Sequence, residues 1–210
     1  MLGFEMPGKV GFERLFYGAP ALRGRWKDWT LKGSLVRSRR RYLAQHAPGA
    51  IETIRAALDA EGRHYLDGDV LVSERMPVGP LVALDEQIVL HAMDGDVSRM
   101  QSFGREIASF DLEGGLYRGM LRAVGGSISL RVYAIAYQSY FQPGSIETVH
   151  SDERSTTLAL RGVVLPRYMC THGFTGYIER LLELAGATRR VTHDCAHEGA
   201  DVCSWRVDVI

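Results

Sequence analysis

Thiols, imidazoles and carboxylates crowd the last twenty residues of the chain, from Val191 to Ile210. Cys195 and Cys203 are two of only three cysteines in 210 residues, and His193, Asp194 and His197 stand beside them. Thiolate, imidazole and carboxylate are the groups that bind zinc, so the segment reads as part of a metal site. Glu198-Gly199-Ala200-Asp201 lies between the cysteines and has the composition of a turn. On strands flanking that turn, His193 and Cys195 share a face, and Cys203 approaches Cys195 across the hairpin. Cys170, near the start of the preceding helix, is placed to close the same pocket from a second direction. Three cysteines plus one nitrogen or oxygen ligand make a closed structural zinc site. The alternative is three reduced cysteines packed as small apolar side chains.

The elements that must position these groups follow from hydrophobic spacing. Residues 1–31 carry Phe4, Phe12, Phe16, Tyr17, Trp26 and Trp29 without sustained periodicity, and are expected to form an N-terminal extension laid over a single domain of residues 32–210. A helix is expected from Ser34, acting as N-cap, to Pro48-Gly49, and another over about 48–60. The segment around Val70-Leu71-Val72 and Met76-Pro77 fits a short strand or a loop. Further helices fit about 80–92, 96–111, 115–124 and 127–141, with Gly125-Gly126 separating the last two.

After Gln142-Pro143-Gly144 the period changes to that of a hairpin, 146–150 with 155–161. Pro166 opens an amphipathic helix on which Phe174, Tyr177, Ile178, Leu181, Leu182 and Ala185 share a face, and Gly186 stops it. Strands at about 187–195 and 202–210 close the chain. The order helices, hairpin, helix, hairpin predicts an α+β fold, with helices packed on an antiparallel sheet of about four strands.

Twenty-five basic and twenty-five acidic residues cancel, so no overall field draws the protein to nucleic acid or an anionic membrane. The arginines at 37, 39, 40 and 41 then read as the solvated face of a helix and not as a phosphate grip. Tyr133, Tyr137, Tyr140 and Phe141 form a stripe that lines either a ligand cavity or plain core, and Met100, Phe103 and Phe110 on the preceding helix fit the same two roles. Phe103, Ile107, Tyr133 and Tyr137 are the expected cavity-lining residues. His46, His64, His91 and His150 have no spaced partner. The sequence holds no Gly-x-Ser-x-Gly, His-Glu-x-x-His, Gly-x-Gly-x-x-Gly after a strand, or phosphate-binding loop. An odd cysteine number, the lack of a signal-like start and the lack of a long apolar run lead to the expectation of a cytoplasmic protein with reduced thiols and no membrane span.

Several local runs resemble a family of uncharacterised bacterial proteins expanded in the myxobacteria. They are Lys32-Gly33-Ser34, Met120-Leu121-Arg122, Gly173-Phe174-Thr175-Gly176-Tyr177-Ile178-Glu179 and the closing Cys-x7-Cys-x-Trp. The closing part, Cys195-x3-Gly199-x3-Cys203 behind a helix that carries Cys170, also resembles the 4-vinyl reductase domain, which shares a broad fold group with the TRAPP trafficking subunits and lies near the haem nitric-oxide-binding domains. The resemblance covers the last third of the chain well and the middle loosely. It implies a sensory or binding domain, commonly a homodimer, with an apolar cavity between helices and sheet. It also implies zinc held by three cysteines and a carboxylate three residues before the middle one. Here that carboxylate position holds Thr192. His193 is the first substitute, followed by His197, Asp194 and His172.

The expectation is therefore a non-enzymatic small-molecule-binding domain with a structural zinc held by Cys170, Cys195, Cys203 and His193. Two alternatives stand: an enzyme whose zinc keeps a water in the fourth position, with Glu198 or Asp194 as base, and a scaffold protein without ligand.

Overall fold

The computed structural model describes residues 9–22, 26, 28–112 and 115–209. Phe4 and Ile210, named above, lie outside the described residues.

The observed architecture is α+β, and among the described residues it has eight helices: α1 (Lys9–Phe16), α2 (Gly33–His46), α3 (Ile51–Ala57), α4 (Ala60–Asp67), α5 (Val78–Ala92), α6 (Met100–Leu112), α7 (Gly115–Tyr140) and α8 (Thr175–Leu184). An antiparallel sheet of four strands has the order β4 (Ser145–Ser151), β5 (Ser155–Arg161), β7 (Ser204–Val209), β6 (Arg189–Asp194). The two hairpins expected from the sequence therefore lie side by side in one sheet. A second sheet, not expected, has the order β2 (Arg75–Pro77), β1 (Thr30–Lys32), β3 (Phe141–Gln142). Its strands are two or three residues long, too short to show a period. Among the described residues no helix is long and apolar enough to cross a membrane.

Two local expectations are corrected. Ser34 does not cap α2: the first helical amides, Gly33 N–H and Ser34 N–H, donate instead to the Glu74 and Val72 carbonyls, at 2.8 and 3.1 Å. The glycine pair 125–126 does not divide α7, which runs unbroken through it. Each glycine costs about 1 kcal/mol relative to alanine, too little to end a helix whose later turns bury Ser129, Leu130, Ala134 and Tyr137.

The core is one cluster that joins helices to sheet, and Phe16, Trp26, Trp29 and Leu31 are buried in it. Phe16 stacks on Tyr168 with ring centroids 4.1 Å apart. Inside the core, Arg39 of α2 makes a bidentate pair with Asp85 of α5, Nε and Nη2 each 3.0 Å from a carboxylate oxygen. The Tyr168 hydroxyl donates to the same carboxylate at 2.7 Å. The neighbouring arginines are also tied inward: Arg40 donates to the carbonyls of His64, Tyr65 and Gly68 at the end of α4, and Arg41 lies over the Phe110 ring at 4.1 Å. Of the run, Arg37 and Arg41 are exposed. The expected solvated face is thus half present: Arg37 and Arg41 lie on it, while Arg39 and Arg40 brace the interior, Arg40 because helix ends need donors for their last carbonyls.

α6 and α8 approach backbone to backbone. A Cβ at Gly104 would lie 2.1 Å from the Gly173 carbonyl oxygen, and one at Gly176 would lie 2.0 Å from that of Gln101. Only glycine permits this contact, which sets the separation of the helices around the site.

Candidate metal centre and apolar cavity

The helix that ends as α8 opens with a π-helical turn, Met169–Phe174, and Cys170 sits within it. Such wide turns re-aim side chains and recur at functional sites. Strand β6 alternates half-buried and exposed residues, so His193 points inward while Thr192 and Asp194 point to solvent. Cys195 follows on the inward side, and Cys203 precedes β7 on the other arm of the hairpin.

The ligand atoms of Cys170, His193, Cys195 and Cys203 all lie within 4.8 Å of one another, so this cluster could hold a metal ion. Cys170 Sγ is 3.5 Å from Cys195 Sγ, and Cys195 Sγ is 3.9 Å from Cys203 Sγ. Two thiolates on a tetrahedral zinc with bonds of about 2.3 Å stand about 3.8 Å apart, so the spacing suits that geometry. All three cysteines are free and buried. His193 Nε2 is buried without a hydrogen-bond partner, and an imidazole left so is costly unless something else engages it. Its ring lies against Trp205, centroids 5.1 Å apart.

Electrostatics favour one thiolate in the trio. Hydrogen bonds from Cys170 and Cys203 pull the Cys195 thiol far below its ordinary value against the opposing effect of burial. Burial, reinforced by Cys195, drives Cys170 up. At Cys203 the Cys170 contact pulls down, but the Cys195 contact and burial prevail and push the thiol up to about 12. Burial lowers His193, which keeps the ring neutral and able to donate a lone pair.

The other residues weighed for the fourth position are engaged or turned away. His197 Nε2 is 2.7 Å from the Leu165 carbonyl oxygen, and its Nδ1 accepts from the Ala19 amide at 3.1 Å. Thr192 and Asp194 are exposed. His172 lies outside the cluster. Glu198, a base in the enzyme alternative, pairs with Arg167.

A cavity of about 70 Å³ lies among α2, α6, α7 and the start of the α8 helix. Phe103, Ile107, Tyr133 and Tyr137 all line it, as do Tyr140, Phe141 and Met100. Phe110 does not, being covered by Arg41. The sequence reading missed Arg39, Asp111 and Tyr168 in the wall. Their signal was legible: Arg39 falls between Leu35 and Leu43 at helical spacing, Asp85 shares the stripe of Leu81, Leu84 and Ile88, and Asp111 follows Ile107 by one turn. A charge inside an apolar stripe needs a buried partner. Burial raises the Asp111 carboxyl to about 6, while the Tyr177 hydroxyl, 3.4 Å away, and Arg39 pull the other way.

No family model matches the chain, and no curated protein matches it. Solved structures do. An H-NOX protein from K. algicida, in its Fe(II) unliganded form, aligns with a TM-score of 0.59 at 11% identity, over 85% of this chain and 96% of that one. An H-NOX protein from S. oneidensis in the Fe(II)NO ligation state aligns with a TM-score of 0.56 at 14% identity, over 86% of this chain and 99% of that one. The chain shares the fold of the H-NOX domains. This agrees with the sequence resemblance that placed it near the haem nitric-oxide-binding group.

Proposed function

We propose that this chain is a non-enzymatic small-molecule-binding sensory domain whose terminal hairpin is clasped to its last helix by a structural zinc. The observation that carries the reading is that one turn serves both parts. Met169–Phe174 supplies Cys170 to the thiol cluster and Met169, Gly173 and Phe174 to the cavity wall. Occupancy of the cavity and the set of the clasp are thereby mechanically linked. The donor set fits zinc: Cys170, Cys195, Cys203 and His193 would hold the ion, and the otherwise unpartnered His193 Nε2 supplies the fourth ligand in place of a carboxylate. Bound there, zinc would add folding energy and offer no open position to a substrate.

Haem, present by description in a neighbouring structure concerned with heme redox potential, does not fit the cavity. The volume of about 70 Å³ is far below the roughly 300–1,000 Å³ of ordinary ligand sites. Among the described residues the lining holds no histidine or cysteine, two of the usual axial ligands. Burial also holds Tyr133 and Tyr137 above the ordinary phenol range, against phenolate ligation.

The finer kinship with the 4-vinyl reductase and TRAPP-like domains is supported by the Cys195-x3-Gly199-x3-Cys203 spacing. With that kinship the reading takes in a cytoplasmic homodimer, for which exposed Val132 and Ile135 on α7 are candidate contacts. In this reading the described residues before position 32 belong to an extension packed on the binding domain, with Phe16, Trp26, Trp29 and Leu31 as its anchors.

Elemental analysis of protein purified without chelator tests the zinc. One zinc per chain is expected, and Cys195→Ser should lose it. Unchanged zinc in that variant, or none in either protein, would overturn the clasp.

A further inference from the structure

The carboxylate at one end of the cavity decides what it can bind, given the small-molecule-binding reading on which this inference rests. Met100, Phe103, Gly104, Ile107 and Asp111 follow one another at helical spacing along α6, and all line the cavity. That wall is apolar until its last turn, where Asp111 meets Tyr177. The Tyr177 ring stacks on Tyr133 with centroids 5.4 Å apart. Burial, then Asp111, Tyr140 and Tyr133, raise the Tyr177 phenol, so the four groups stand together in the lining. The cavity is apolar at one end, and carboxylic and phenolic at the other. At about 70 Å³ it has about half the volume of a cavity of roughly 150 Å³ that admits benzene, which sets a limit of about four non-hydrogen atoms.

Asp111 has no counter-ion of its own. Among the described residues its one hydrogen bond comes from the Tyr177 hydroxyl to Oδ2 at 3.4 Å, beyond the about 2.5–3.0 Å of a good O–H···O bond. Asp111 and Tyr133 are half-buried and keep accessible surface, unlike Tyr137, whose hydroxyl is sealed. Arg39 is committed to the bidentate Asp85 and to the Leu35 carbonyl. Lys32 acts on Asp111 only from a distance: its ammonium lies over the Tyr140 ring, 5.4 Å from the centroid. The chain's own ammonium thus already rests on one ring of this wall. Asp111 is also the next-to-last residue of α6, and the negative end of a helix dipole favours a cation. Burial raises the carboxyl to about 6, so in neutral solution it is ionised, and a buried charge is costly until it is paired. We propose that the cavity binds a small alkylammonium ion of at most about four non-hydrogen atoms, its ammonium on Asp111 among Tyr133, Tyr140 and Tyr177 and its alkyl chain along α6 toward Ile107. The tyrosine rings attract the ammonium as well, a small anion is repelled by the carboxylate, and a neutral alcohol leaves that charge unpaired. Ligands this small reach dissociation constants no tighter than about 10⁻⁵ M, so binding is a millimolar to high-micromolar event.

The test is an NMR titration of the full-length, metal-loaded protein with its isoleucine methyl groups labelled, reading the Ile107 methyl one turn from Asp111, at constant ionic strength and pH 7.5. Propylammonium should give saturable shifts at least about tenfold tighter than the equally large 1-propanol, acetate should give none, and xenon should bind. Asp111→Asn should weaken propylammonium to the level of 1-propanol and leave xenon unchanged, which also certifies that the variant keeps the cavity. Equal propylammonium binding by Asp111→Asn overturns the role of the carboxylate. In the unaltered protein, 1-propanol or acetate binding as tightly as propylammonium overturns the cation, while the small-molecule reading stands. Failure of every probe, xenon included, removes both.

Discussion

Cys170 Sγ and Cys195 Sγ stand 3.5 Å apart across 25 residues of sequence, one on a helical turn and the other at a strand end. Nothing covalent joins them, and close-packed thiols alone do not explain the unpartnered His193 Nε2 beside them. His193→Ala should therefore lower zinc affinity by at least about 100-fold, measured by competition with a chromophoric chelator. Thr192→Glu restores the carboxylate of the resembling domains, yet Thr192 is exposed on the outer face of β6. That variant should leave zinc affinity unchanged, and a gain in affinity would show that the strand can turn over.

The buried brace of Arg39, Asp85 and Tyr168 makes a second prediction. Asp85→Ala leaves the Arg39 guanidinium, itself only 7% exposed, without its partner. The expected loss is about 3–5 kcal/mol of stability in urea denaturation. Replacing all three polar members together, Arg39→Met with Asp85→Leu and Tyr168→Phe, should recover most of that loss, because the uncompensated charge goes too. A triple variant as unstable as the single one would show that packing, and not the stranded charge, sets the cost.

Asp111 gives the pH dependence. Burial raises its folded-state value to about 6, above the ordinary 3.8 of the unfolded chain. Between those values the folded protein holds a proton that the unfolded chain has released, so stability falls as pH rises through that window. Below it both states are protonated and the effect vanishes. Asp111→Asn, which still accepts from Tyr177, should gain about 2 kcal/mol at pH 7.5, or about 5 °C in Tm, and gain nothing near pH 4. A thermal melt of both proteins at the two pH values checks the sign.

The helix, hairpin, helix, hairpin order was legible because long segments repeat their period enough times to be read, and the sheet followed from pairing the two hairpins. The three-stranded sheet was not, since its strands do not last one full alternation. The thiol cluster was legible from residue type and strand parity: His193 and Cys195 share a face because they are two apart. Only the three-dimensional structure shows that His197 is committed to Ala19 and Leu165. Gly125-Gly126 misled because local propensity is weak against burial of the later turns of α7.

The tie between His197 and the segment after α1 supplies the last prediction. With Nε2 against the Leu165 carbonyl at 2.7 Å, Nε2 carries the proton and Nδ1 is left to accept from the Ala19 amide at 3.1 Å. Gly18 makes room for the ring: its φ is +89°, and an added Cβ would meet His197 Nδ1 at 2.0 Å. Gly18→Ala thus carries two penalties, left-handed strain and a steric clash, expected to total about 2–4 kcal/mol. In a His197→Ala background the clash is gone and about 1 kcal/mol of strain should remain. A double-mutant cycle in urea, with hydrogen exchange read at the Ala19 amide, separates the two. Additive losses would mean that the ring and the glycine do not meet in solution.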